Sequence, residues 1–405
     1  MDYEPNQNDG YMEAQEDQDT KKIYPAGQKS RTTIKYIRYL LLLIMVMVAL
    51  LFLFANRDQI NGDNFRRLMA KINIGVSNGA AENGEVRFDT LSNGNTVVYK
   101  DGFAHATVEK LIITDKNGTE FQNTQLGYRK PCIAANNRYV LVYDSGGTGL
   151  MVADSFSVLF ETYMENNIIS AKMNANGYIV VVTEGDGFLA KVFVYDASFR
   201  EIYRYRSLNR YILDADVSAD NKAMALSAMN IEGAKIVPEI LYFKFSKEEM
   251  DWKVSFEEAP CVEVAVKNDG TVCGLFSWGM VSITSKGAEC GRYEFDNQVL
   301  QCYSLEDGSM NLFAVSASEN GDATIVACDE KGAVKHTVSL DYYGVDMDYC
   351  EGRVAVLGNQ KCAAYSLAGK LLWEQAPESA TGISFMGKSA VVVVSETKCV
   401  YNGIG

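Results

Sequence analysis

Ala171-Lys-Met-Asn-Ala-Asn-Gly-Tyr178-Ile-Val-Val-Val-Thr183 reads as a strand, a turn and a very apolar strand. Lys191-Val-Phe-Val-Tyr-Asp196 and Phe199-Arg-Glu-Ile-Tyr203 then form a second pair with its own turn. The runs are short and rich in Val, Ile, Tyr and Phe, and the residues between them are Gly, Asn and Asp, whose side chains or lack of one suit tight turns. Two successive hairpins of this kind make a four-stranded unit. From about residue 85 to the C-terminus no long helical pattern interrupts them.

The first hairpin recurs seven more times. It appears at Val86–Tyr99, Ile133–Tyr143, Ala215–Leu226, Val262–Phe276, Cys302–Val315, Val345–Leu357 and Ile383–Val394. Anchored on Gly94, Asn137, Gly177, Asn221, Gly270, Gly308, Gly352 and Gly387, the units are spaced by 43, 40, 44, 49, 38, 44 and 35 residues. A repeat near 40 residues is the period of a four-stranded propeller blade. The expected fold is all-β, a β-propeller over residues 85–405. Eight blades are preferred; seven, with one hairpin displaced into a closing role, is the alternative.

The eighth unit runs out after Thr397-Lys-Cys-Val-Tyr401, one strand short, which would leave an unprotected sheet edge. Lys71-Ile-Asn-Ile-Gly-Val76 is expected to supply the missing outer strand and fasten the ring.

The second half of each unit is an apolar strand, an Asp or Ser, a Gly-Lys-like turn and an aliphatic strand ending in Trp or Tyr, as in Lys361-Cys-Ala-Ala-Tyr-Ser-Leu-Ala-Gly-Lys-Leu-Leu-Trp-Glu374. In this the chain resembles the quinoprotein-like and WD40/YVTN-like β-propeller superfamily over roughly residues 85–402. The whole layout also looks like a family of membrane-anchored propellers from anaerobic Firmicutes, in which membership implies no activity. The superfamily resemblance invites a quinone-dependent redox enzyme. Such enzymes carry vicinal cysteines and calcium ligands around the pore, and this chain has no Cys-Cys pair.

Ahead of the repeats, Tyr39-Leu-Leu-Leu-Leu-Ile-Met-Val-Met-Val-Ala-Leu-Leu-Phe-Leu-Phe-Ala55 is uncharged. At 1.5 Å per residue, residues 36–55 span about 30 Å, the thickness of a bilayer's hydrocarbon core, if Arg38 snorkels. The run is long for a signal peptide, begins far from Met1 and lacks a small-x-small cleavage site, so it is expected to stay as one transmembrane helix. Six Lys/Arg precede it and only Arg57, Arg66, Arg67 and Lys71 follow, which places the N-terminus in the cytoplasm and the propeller outside. Residues 1–35 are then a disordered cytoplasmic tail, 56–84 a stalk and linker.

Charge and composition narrow the function. The net charge of -14 falls almost wholly after the tail, so a phosphate-neutralising surface and nucleic-acid binding are not expected. Nine cysteines occur without CxxC spacing, most of them inside apolar runs, which fits buried thiols. Only two histidines occur, remote from each other. No Ser/His/Asp order, activated Cys/His pair or HExxH is present, so no catalytic, cofactor-binding or metal residues are assigned.

Asp144-Ser-Gly-Gly-Thr-Gly149 opens no helix and lacks Gly-Lys-Ser/Thr, so it reads as a hairpin turn rather than a phosphate cradle. Asp214/Asp216 and Asp346/Asp348 each place two carboxylates on one face of a strand, where hydrogen bonding to turns or solvation is expected. Two features suit a partner. One is the strand Arg200–Arg206, with Tyr203 and Tyr205 on one face and Arg204 and Arg206 on the other. The second is Trp278, in a short hairpin on the face where Ser145–Gly149, Gly185–Phe188 and Ile231–Val237 should also gather. The functional expectation is a membrane-anchored extracytoplasmic binding or scaffolding module for a protein or cell-envelope component. The alternatives are a single-pass sensor and a propeller enzyme.

Overall fold

In the computed structural model the described residues are 35–48, 62–64, 66–67, 84–88 and 95–404, except 234, 258 and 306–309. The chain divides into two units, Met1–Asn64 and Phe65–Gly405. In the first, residues 35–48 are helical, and every large apolar side chain from Tyr36 to Val48 is exposed, by 44–72%. Among the described residues no helix is long and apolar enough to cross a membrane. Residues 49–55 of the expected span, and the tail before it, lie outside the described residues.

The second unit is built from eight four-stranded antiparallel sheets. Seven are simple meanders. Blade 3, for example, runs Ile168–Met173, Ile179–Thr183, Ala190–Tyr195 and Glu201–Ser207 from its innermost to its outermost strand. The two middle strands of each blade are sandwiched between neighbouring blades. They are therefore mostly apolar, and Ile179–Thr183 and Ala190–Tyr195 are buried along their whole length. The outermost strands have one free side and alternate, as in Val158–Tyr163.

The core is distributed accordingly. Eight clusters of buried apolar residues each join one blade to the next, including the cluster of Val86, Phe88 and Val392 with Phe103 that joins the last blade to the first.

The eighth blade settles the blade count and corrects the closing strand. Gly382–Phe385, Ala390–Val394 and Lys398–Gly403 are its inner three strands, and Glu85–Arg87 is the fourth, with Val86 opposite Cys399. The ring is fastened by an N-terminal strand, but by residues 85–87. The expected closing segment 71–76 lies outside the described residues. Blade 1 consequently begins at Asn95–Tyr99, which pairs with Gly102–Ala106, and the run from Val86 is not its partner. The Gly94 turn separates two strands of different blades. A turn signature marks a chain reversal without saying which strands then pair.

Seven of the eight expected hairpins are present. The longest sequence spacing, 49 residues, corresponds to blade 4, whose middle strands Ala223–Glu232 and Lys235–Lys244 are ten residues each against five in blade 5.

Candidate functional site

Each blade's first and third turns lie on one face of the ring, and its second turn lies on the other with the connection between blades. Backbone bonds show this directly. Ser145 bridges Ile168, Glu184 N donates to Asn167 O, Ile231 N to Asn209 O, and Phe295 N to Trp278 O, each joining a second turn to an inter-blade connection. The four expected segments thus share a face. In the glycine loop Gly146 has φ +80° and Asp144 accepts the Lys130 amide at 2.8 Å, so the loop is a hairpin turn locked to its neighbour.

Trp278 occupies the two-residue turn between Phe276 and Gly279 in blade 5. Its ring stacks on Phe276 with centroids 5.0 Å apart, and the Arg292 guanidinium lies 5.8 Å from its centroid. The half-buried indole forms part of the wall of an open cavity of about 820 Å³. Glu257, Glu289, Glu294 and Asp296 bring carboxylates to that cavity, and Phe256 extends the aromatic wall, 4.6 Å from Phe276. Arg292 is already held by Glu289 at 2.8 and 2.9 Å and by Glu294 at 3.3 Å. The hydrogen bonds to Glu289 and Glu294 lift its pKa above the ordinary arginine value, so it stays a cation.

The expected basic ladder lies elsewhere, on the outermost strand of blade 3, and is not part of this cavity. Tyr203 and Tyr205 do point away from Arg204 and Arg206. The tyrosines pack into the blade 3–4 interface, Tyr205 4.6 Å from Phe243 and Tyr203 5.4 Å from Phe245. Arg204 is gripped bidentately by Glu201 at 2.8 and 2.7 Å and lies over Phe193 at 4.8 Å. Arg206 is exposed. Three of the four side chains therefore have structural employment.

The paired aspartates face the next blade. Asp214 and Asp216 accept the amides of Val264 and Val266 at 2.9 and 2.7 Å, and Asp346 and Asp348 accept those of Ile383 and Phe385 at 3.0 and 2.7 Å. They lock innermost strands to one another, where turns were expected as partners. Lys172 joins this wall, bonding Asp214 at 2.6 Å and Glu263 at 3.1 Å, while Tyr303 donates to Glu263 at 2.8 Å. Burial by itself would lower the lysine's pKa, but Asp214, Glu263 and Asp216 hold it above the ordinary value. This four-blade brace was missed in the sequence. Its signal was a charge inside the otherwise apolar Ala171-Lys172-Met173.

All nine cysteines are free thiols, six of them buried. Burial pushes Cys261, Cys302, Cys328 and Cys399 up to about 12, which makes their thiolates inaccessible as nucleophiles near neutral pH. Among the described residues no group of three or more His, Cys, Asp or Glu is placed to hold a metal ion.

A closed ring of eight four-stranded blades, each packed against the next, defines an eight-bladed β-propeller. Residues 79–400 match the model of the family of unknown function DUF5711, and the chain belongs to that family. No curated protein matches it. Its fold is similar to BamB from Moraxella catarrhalis, at 10% identity and TM-score 0.54 over 78% of this chain and 98% of that one. The C-terminal WD40 domain of Sif2 is similar at 11% identity and TM-score 0.57, covering 79% and 99%. The quinohemoprotein alcohol dehydrogenase ADHIIG from Pseudomonas putida HK5 matches at 11% and 0.57, covering 79% and 75%. At such identities the likeness is one of fold alone.

Proposed function

We propose that this protein is a membrane-anchored extracytoplasmic β-propeller that binds or scaffolds a partner through the face carrying Trp278, without catalysing a reaction. The observation that carries the reading is the half-buried indole in an open, charged cavity at the elaborated face, since tryptophan contributes disproportionately where proteins meet. The anchor is supported by the helix at residues 35–48, whose large apolar side chains are exposed and would be covered by lipid. Arg204, Arg206, Tyr203 and Tyr205 are the secondary contact surface, reduced in practice to Arg206 and the edge it lies on.

A photo-crosslinking residue at Ser277 in the full chain tests this in intact cells. Capture of a defined partner, abolished by Trp278→Ala while stability falls by no more than about 2 kcal/mol, is the expected result. Capture unchanged by Trp278→Ala overturns it.

A second reading, a sensor that relays partner binding to the cytoplasmic tail, is favoured by Arg67. This stalk residue is 3% exposed, bonds Ser155 at 2.9 Å and Asp101 at 2.7 Å, and lies 4.6 Å from the Phe121 centroid. These contacts tie residue 67 to turns of blades 1 and 2.

A further inference from the structure

The long hairpin of blade 4 has two unlike sides. On the side toward blade 3, Glu239 is fully buried and paired with Arg210 at 2.6 Å and Lys253 at 2.5 Å, which braces the base of the hairpin. The side toward blade 5 carries Ala225 and Ser227 low in the sheet, where Ser227 donates to Cys261 O and Ala225 packs with Cys261 and Val264. Higher on that side, alternation and cross-strand register place Tyr211, Met229, Ile231 and Ile236, with Tyr211 opposite Met229 and Ile231 opposite Ile236. Blade 5 is too short to cover them. Tyr211 is 45%, Ile231 39% and Ile236 60% exposed, and Val262, at the foot of blade 5, is 51% exposed.

This apolar wall is continuous with the Trp278 cavity. Pro238, opposite Met229, accepts the Phe256 amide at 2.8 Å, and the Phe256 ring touches Phe276, on which Trp278 stacks. An aliphatic ledge therefore runs into an aromatic cavity with four carboxylates and one committed cation.

We propose that the blade 4 hairpin and the Trp278 cavity form one docking groove for a segment of a partner protein that presents a lysine or arginine among aliphatic residues. The inference rests on the binding role proposed above and names the partner's chemistry. The aliphatic residues would cover Tyr211, Ile231 and Ile236. The cation would lie beside the indole, between Glu257 and Asp296, where the carboxylate excess favours positive charge. The same excess disfavours an anionic membrane surface as the occupant of the groove.

The test uses the full chain in detergent micelles, with empty micelles subtracted. Three fluorescein-labelled octapeptides serve as probes, alternating leucine with lysine, leucine with glutamate, and serine with lysine. The leucine–lysine peptide should bind, its affinity should fall with added salt, and the other two should bind at least about tenfold more weakly. Ile236→Ser, which removes an exposed methylene surface, and Glu257→Gln with Asp296→Asn, which keeps shape and removes charge, should each weaken it about tenfold while the thermal transition stays in place. Equal binding of the three peptides, equal binding by the variants, or tighter binding to phosphatidylglycerol vesicles that is lost in Ile236→Ser overturns the proposal. Capture from cells at Ser277 that Trp278→Ala abolishes but Ile236→Ser leaves unchanged overturns the groove while leaving the binding role standing.

Discussion

His105 shows how a single side chain ties the ring shut. It is fully buried in blade 1, hydrogen-bonded through Nδ1 to Thr96 Oγ1 at 2.8 Å and stacked at 4.2 Å on Phe88, which follows the closing strand. Burial first, and Lys110 second, lower its pKa to about 4. The unfolded chain takes up this proton near pH 6.5 and the folded chain only near pH 4. The neutral histidine's contribution is thus complete above pH 6.5 and is lost as pH falls toward 4. Between pH 7 and pH 5 the loss amounts to about 2 kcal/mol. Denaturant unfolding of the wild type and His105→Gln at the two pH values should show that difference only in the wild type; parallel pH dependence in both would place the burden on other groups. The paired aspartates teach a related lesson at this scale. Their spacing predicts one shared strand face, and that is where they lie, but which amides they meet depends on the neighbouring blade.

Among the elements, the closing strand has a role out of proportion to its three residues. Glu85–Arg87 covers the edge of Lys398–Gly403, and Val86 and Phe88, 3% and 5% exposed, complete the cluster between the last blade and the first. Removing 84–88 would uncover that edge and the two side chains together, about 4 kcal/mol of burial before any relaxation. Deletion of residues 84–88 should lower the unfolding midpoint markedly and promote association through the freed edge, whereas deletion of 77–80 should leave both unchanged; equal stability of the two deletions would contradict this closure. The blade 4 hairpin is the opposite kind of element. Its extra length adds no inter-blade core, and its apolar side is exposed at Tyr211, Ile231 and Ile236.

At the scale of the whole molecule the chain holds an apolar helix at residues 35–48 and, as a separate unit, a ring of eight blades closed by the pairing of Glu85–Arg87 with Lys398–Gly403. The orientation is open to a direct test. An epitope tag placed after Met1 should be hidden in intact cells and revealed on permeabilisation, while a tag after Gly405 should bind antibody without it; the reverse pattern would move the propeller into the cytoplasm. The sequence by itself determined the repeat and seven of the eight hairpins and favoured eight blades over seven, because strand alternation, turn chemistry and a 40-residue period are local properties written along the chain. It also placed Tyr203 and Tyr205 opposite Arg204 and Arg206, since side-chain direction in a strand follows from parity. Tertiary structure alone decided that residues 85–87 close the ring, that Lys172 bridges Asp214 and Glu263 across three blades, and that an apolar ledge meets the Trp278 cavity. Each of these joins residues from different blades or across a turn, and such a pairing depends on which surfaces the closed ring brings together, a quantity that no local pattern encodes.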